Sequence, residues 1–136
     1  MSREIKFRAW DGEKILYPLA PRYVAIGGCS WGFWDDGKLL AVNYRQNHEL
    51  MQYTGRKDSD NVEIYEGDIV EWENPDLFGE PENGAIRIGN KVRSVIEYDD
   101  KEGCFKPLYW YDCNLENDDL RVIGNIYQNP ELVRHG

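Results

Sequence analysis

A chain of 136 residues with 41% hydrophobic and 13% aromatic side chains is long enough to bury one ordinary core and too apolar to remain disordered. The net charge is −9, from 25 acidic and 16 basic residues, and no apolar run is long enough to span a bilayer. The start, Met1 to Trp10, alternates charged and apolar residues instead of placing a basic stretch before an apolar one, which predicts a protein that stays in the cytoplasm where it is made.

The elements read as short strands. Glu4 to Trp10 alternates Ile5, Phe7 and Ala9 with Glu4, Lys6 and Arg8, the two-residue period of a half-buried strand. Asp11-Gly12 is a turn pair, and Ile15 to Tyr17 completes a hairpin before Pro18 and Pro21 interrupt the pairing. Arg22 to Ile26 resumes it, and Gly27-Gly28 breaks it again. Phe33 to Lys38 reads as strand, turn and strand, running on from Leu39 to Tyr44 with β-branched and aromatic residues. Further strands are predicted over Glu49 to Thr54 and Val62 to Tyr65, with the polar stretch Gly55 to Asn61 as the turn between them. Gly67 permits a tight approach, and Asp68 to Glu73 alternates Val70 and Trp72 against acids.

Asn74 to Gly84 carries two prolines, two glycines and three acids and reads as a long connection. Val92 to Tyr98 returns to strand character, Asp99 to Gly103 is a turn, and Phe105 to Tyr111 is an aromatic strand broken by Pro107. In the last strand, Leu120 to Tyr127, the residues Leu120, Val122, Gly124 and Ile126 share a face. No window sustains a 3.6-residue period, so any helix is short. Many brief strands with frequent turns predict an all-β chain, a small barrel or a sandwich. The expected division is an N-terminal β region over 1–48 and a C-terminal small barrel over 49–136.

The chemistry-bearing residues do not form a catalytic or metal motif. Cys29, Cys104 and Cys113 are too unevenly spaced for a disulfide framework or a zinc site. Asp58-Ser59-Asp60-Asn61 begins like a calcium loop, but Glu63 stands where the loop needs Gly and Ile69 where it needs the bidentate Glu. Asp99-Asp100 with Glu102, and Glu116 with Asp118-Asp119, sit beside turn residues, where acids serve solubility and capping. His48 and His135 lie in no histidine-carboxylate motif, no serine occupies a nucleophile elbow, and Gly27-Gly28 lacks the spacing of a phosphate loop. The expectation is a protein without catalytic residues, cofactor or metal.

Three blocks resemble the YopX family of bacteriophages and prophages. They are Arg3-Glu4-Ile5-Lys6-Phe7-Arg8-Ala9-Trp10-Asp11; Leu50-Met51-Gln52-Tyr53-Thr54-Gly55 through Lys57-Asp58 to Ile64-Tyr65-Glu66-Gly67-Asp68-Ile69-Val70; and Val122-Ile123-Gly124-Asn125-Ile126-Tyr127 followed by Asn129-Pro130-Glu131-Leu132. They stand at the start, middle and end of the chain, while Leu16 to Gln46 and Glu73 to Leu120 carry no family pattern. The resemblance implies a β-rich N-terminal region followed by an SH3-like barrel, and it brings no active site.

Three functional expectations follow. The first is a non-enzymatic protein-interaction module in the bacterial host cell, open to homo-oligomerisation through exposed strand edges. The second is nucleic-acid binding through local basic faces, Lys6 with Arg8 and Arg87 with Lys91 and Arg93. The third uses the strip from Asp58 to Ile86, which has ten acids and no Lys or Arg, to engage a basic partner such as a host nucleic-acid-binding protein. Its candidate contacts are Asp58, Asp60, Glu63, Glu66, Glu71 and Glu73. The tryptophans Trp10, Trp31, Trp34, Trp72 and Trp110 could stack bases if several faced outward, although in a small β domain they more often form core.

Overall fold

The structure is a computed structural model and describes residues 6–19, 22–28, 30–73, 86–99, 104–106 and 120–133. The predicted Asn74 to Gly84 connection, Pro107 to Tyr111, the Glu116 to Asp119 cluster, Cys29, Cys113, Trp110 and His135 lie outside the described residues. The described chain is almost wholly β, with 13 strands and a single 3-10 helix, Pro130–Val133. Contacts divide it into two units, Met1–Tyr53 and Thr54–Gly136.

In the first unit, β1 (Phe7–Trp10) pairs antiparallel with β2 (Ile15–Leu16) on one side and with the first residues of β6 (Glu49–Lys57) on the other. The hairpin turn is held by Asp11, whose Oδ1 accepts from the backbone N–H groups of Glu13 and Lys14, both at 2.8 Å. A second sheet is the meander of β3 (Arg22–Gly27), β4 (Ser30–Asp35) and β5 (Lys38–Val42). Its β4–β5 turn is Asp36-Gly37, both at positive φ (48° and 83°), the pattern whose twist matches a two-residue hairpin. Ala9, Leu16, Phe33 and Ala41 form the buried core, with Val24, Trp31, Leu40 and Leu50 packed against it.

In the second unit, β8 (Asp68–Glu73), β9 (Ile86–Ile88), β10 (Lys91–Val95) and β13 (Arg121–Asn125) form an antiparallel sheet in the order β13-β8-β10-β9. β11 (Glu97–Asp99) pairs with β12 (Cys104–Lys106), and β7 (Glu63–Tyr65) neighbours β6. Ile64, Val70, Trp72, Val92, Ile96, Phe105 and Leu120 make the core, and Val122 packs on it.

The alternation of β1 breaks at one place. Arg8, expected on a solvent face beside Lys6, is 3% exposed, because β1 is a middle strand and the guanidinium lies over the Tyr17 ring, 5.9 Å from its centroid. Gly55, expected to open a turn, instead sits inside β6 at φ 87°, and the strand continues to Lys57. Val92 to Tyr98 is two strands, interrupted at Ile96, whose N–H donates to Asp68 O and whose carbonyl accepts from Gly67 N. Ile86–Ile88 is a strand that the sequence pattern did not mark.

Candidate functional site

The family-like blocks are explained by folding. Asp58, 7% exposed, uses Oδ1 to accept from the N–H groups of Asp60 (2.8 Å) and Val62 (2.9 Å), and Oδ2 to accept from that of Val122 (2.9 Å). A carboxylate with three backbone donors fastens the β6–β7 turn to β13, 64 residues on. Asp68, 2% exposed, accepts from Tyr65 N at 2.8 Å across the turn that Gly67 makes at φ 83°. In the last block, Asn125 Oδ1 accepts from the N–H groups of Tyr127 and Gln128, while Asn129 Oδ1 accepts from that of Asn125. Gly124 has no side chain because a Cβ there would stand 2.5 Å from Asn129 Oδ1.

The acidic strip and the basic patch fold onto each other. Cross-strand register sets Glu71 opposite Arg93 and Arg121, and Glu73 opposite Lys91. Arg93 Nε donates to Glu71 Oε2 at 2.7 Å, Lys91 Nζ lies 3.5 Å from Glu71 Oε1, and Arg121 Nε lies 3.4 Å from Asp60 Oδ2. Burial pushes the Glu71 carboxyl up, but the bonds and charges of Arg93 and Lys91 outweigh it and hold the group below the ordinary carboxylate range. Glu63 lies 3.5 Å from the Tyr65 hydroxyl, and Glu66 and Glu73 also have interaction partners. Of the remaining basic candidates, Lys6 sits over the Tyr53 ring at 4.9 Å, and Arg87 stands beside Val92 in the β9–β10 pairing. Lys91 and Arg93 from the basic set thus share Glu71 from the acidic set.

Several large apolar side chains are exposed. Tyr17, Leu19, Tyr23, Ile26 and Tyr44 of the first unit are all exposed, Tyr44 at 76%. The second unit adds Val62, Ile88 and Tyr98. Tyr23 and Ile26 stand on the first strand of the β3-β4-β5 meander. One face carries Val24, Trp31 and Phe33 toward the core; the other brings Tyr23 opposite Trp34, Ala25 opposite Gly32 and Gly27 opposite Ser30. A register shift between Phe33 and Trp34 sets Trp34 opposite Leu39 and Gly32 opposite Val42.

A groove of about 520 Å³ follows this outer face. Its lining includes the small residues Ala25, Gly27, Ser30 and Gly32 together with Ile26 and Trp31. Trp34, Leu39, Val42, Asn43 and Tyr44 complete it. The Trp34 ring lies nearly parallel to Tyr23, at 10° with centroids 6.4 Å apart, and its Nε1 is 2.9 Å from where a Cβ on Gly32 would be. The loop bearing Tyr44 is tied back by backbone bonds of Arg45 to Val42 and His48 to Arg45, and by Val42 N–H donating to His48 Nδ1 at 3.2 Å. The sequence reading passed over this face because Ser30 and Gly32 are poor strand formers. The available signal was the small-aromatic alternation of Ser30 to Trp34.

Of the tryptophans, Trp72 is buried, Trp31 packs against the core, and Trp10 and Trp34 are half-buried. Among the described residues no group of three or more His, Cys, Asp and Glu side chains is arranged to hold a metal ion, and no helix is long and apolar enough to cross a membrane.

Fold and surface thus define an all-β protein whose described residues line an uncharged groove that includes Trp34 and Tyr44. The family model described as "YopX protein" matches residues 6–134, and the chain belongs to the YopX family. It is similar to the crystal structure of protein EF1440 from Enterococcus faecalis, with a TM-score of 0.58 and 25% identity over 98% of this chain and 100% of that one. The X-ray structure of protein yopX from Bacillus subtilis matches with a TM-score of 0.55 and 22% identity, over 93% of this chain and 95% of that one, a likeness of fold alone. No curated protein matches the chain.

Proposed function

We propose that this YopX-family chain is a non-enzymatic protein-interaction module that works in the cytoplasm of a bacterial host carrying a phage or prophage, and that it makes contact through the outer face of the β3-β4-β5 sheet. The observation that carries this reading is the groove itself, an exposed apolar recess whose lining includes Trp34 and Tyr44, on a unit with seven basic and six acidic side chains. Large aromatics in a concave patch are the side chains that anchor protein contacts. The antiparallel sheet of the second unit supports reading that unit as a small SH3-like barrel that serves as scaffold.

The two charge-based readings have less support. Arg8 is buried, and Lys91 and Arg93 already face Glu71, so a phosphate backbone would compete with formed ion pairs. Asp58 is buried, with its oxygens engaged by the backbone N–H groups of Asp60, Val62 and Val122, which thins the acidic strip.

The test is affinity capture of tagged protein from bacterial lysate with nuclease treatment of half the sample, run beside Tyr44→Asp and Tyr23→Asp variants. Size-exclusion light scattering reads self-association. The expected result is a nuclease-resistant partner, or a second copy, recovered by the natural chain and lost with both variants. A monomer that enriches nothing, or a partner retained by both variants, overturns the reading. Nuclease-sensitive recovery moves nucleic-acid binding to the front.

A further inference from the structure

We propose that β3 pairs antiparallel with β3 of a second copy of this chain, about a two-fold axis at Ala25, so that two β3-β4-β5 sheets join edge to edge. This goes beyond the contact proposed above, because it concerns the edge of the sheet and not its outer face. The backbone of β3 turns outward at alternate residues. Arg22 N–H donates to Leu19 O at 2.9 Å, away from β4. On β4, Trp31 donates its N–H to Asn43 Oδ1 and accepts at its carbonyl from Asn43 N, so both its backbone groups face away from Ile26, its partner in the register. In an antiparallel ladder the N–H and C=O of one residue point the same way, and the direction alternates along the strand. Tyr23, Ala25 and Gly27 therefore bond to β4, while Val24 and Ile26 present both groups at the edge. Among the described residues nothing bonds to them from that side.

Sheet edges are ordinarily kept short, charged or irregular, which stops other chains from adding to them. The other described edges follow that rule. β2 has two residues; β7, β9, β11 and β12 have three each; β5 opens with Lys38; and β13 opens with Arg121 and shifts register between Val122 and Gly124. β3 has six residues in unbroken register. Its Arg22 is paired with Asp35 at 3.2 Å, and Tyr23 to Gly27 contains no charge and no proline.

The register selects a second copy as the occupant. With the axis at Ala25, Val24 of each copy stands opposite Ile26 of the other, and both pairs exchange their backbone bonds, so every outward group of the two residues is used. An axis at Val24 would call on the N–H of Arg22, which Leu19 O already holds, and an axis at Ile26 would set Val24 against Gly28, beyond the strand. The side chains fit the same register. Tyr23, 52% exposed, faces Gly27 of the second copy, Ala25 faces Ala25, and Ile26, 56% exposed, faces Val24. A large ring over a glycine and an aliphatic pair are favourable cross-strand neighbours. Charge agrees: Met1–Tyr53 carries seven basic and six acidic side chains in a chain of net −9, so copies that meet here meet through their nearly neutral parts.

The test puts charge on the axis. Ala25 is exposed, so Ala25→Asp and Ala25→Lys should keep the natural circular dichroism, and each new side chain would face its own copy with Cβ atoms about 5 Å apart. Size-exclusion light scattering should give twice the chain mass for the natural protein, the mass of one chain for either variant alone, and twice that mass again for an equal mixture of the two. Hydrogen exchange reads the same edge without a substitution: the amides of Val24 and Ile26 should exchange more slowly as protein concentration rises. A monomeric natural chain, a single variant that keeps the natural mass, a mixture that stays monomeric, or exchange at Val24 and Ile26 that ignores concentration overturns the proposal. A monomer whose lysate partner is lost with Tyr44→Asp and Tyr23→Asp overturns the edge pairing and leaves the face contact standing; a dimer that obeys the charge swap while its lysate partner survives both tyrosine variants does the reverse.

Discussion

Arg93 Nε donates to Glu71 Oε2 at 2.7 Å while another nitrogen of the same guanidinium donates to Leu132 O at 3.1 Å. One cation thereby joins β8, β10 and the 3-10 helix. The Glu71 carboxyl is held below its ordinary range, so its pairing stabilises the fold fully above the unfolded carboxylate pKa of about 4.3 and is lost as pH falls from there through the lower folded value. Glu71→Gln should cost about 1–2 kcal/mol at pH 7 and little once the natural carboxylate is itself protonated. Urea melts of both proteins from pH 7 downward check this; parallel stability curves would refute it.

Asp58 gives a larger effect from a smaller group. Asp58→Ala leaves the N–H groups of Asp60, Val62 and Val122 without their acceptor. The expected loss is about 3 kcal/mol, since each buried unsatisfied donor costs about 1–3 kcal/mol and water reaches some of them. Asp58→Asn keeps an acceptor oxygen and should lose about half as much. Equal losses in the two variants, measured by chemical denaturation, would show that the space and not the oxygens matters.

Gly124 and Asn129 should behave as one unit. A Cβ at position 124 meets Asn129 Oδ1 at 2.5 Å, and moving that side chain breaks its bond from Asn125 N. Gly124→Ala should cost about 1–3 kcal/mol, and Asn129→Ala about 1 kcal/mol. With Asn129 already truncated, the methyl group has room, so the double variant should lose clearly less than the sum. Strict additivity in a double-mutant cycle would be the contrary result.

The strand pattern was legible because alternation and turn pairs are local. Asp11-Gly12 and Asp36-Gly37 close hairpins as their composition implies, and Ala9, Ile64, Val70 and Val122 lie in or against the cores. What local pattern could not supply was pairing across the chain. Arg8 reads as a solvent residue until β2 and β6 flank it, and Glu71 reads as part of an acidic strip until β10 brings Arg93 opposite. Asp58 is similar, since its third donor, Val122 N, comes from the far end of the chain. The groove was hidden for another reason: its lining includes glycine, alanine and serine, residues that carry no chemistry of their own and matter here by leaving space.

Gly32→Ala tests that use of space directly. The new methyl would meet Trp34 Nε1 at 2.9 Å and Leu39 Cδ1 at 3.3 Å, both outer atoms of side chains that can swing toward solvent, and no positive φ holds the position. The fold should therefore lose only about 1 kcal/mol, in contrast to Gly124→Ala, where the obstructing atom is itself hydrogen-bonded. The indole, however, must move, changing the Trp34 environment and its near-parallel contact with Tyr23. Tryptophan emission and near-ultraviolet circular dichroism should change while the thermal midpoint falls only slightly. A large fall in stability with an unchanged tryptophan signal would mean that the backbone had moved instead, and that Trp34 is fixed more firmly than its place on the outer face implies.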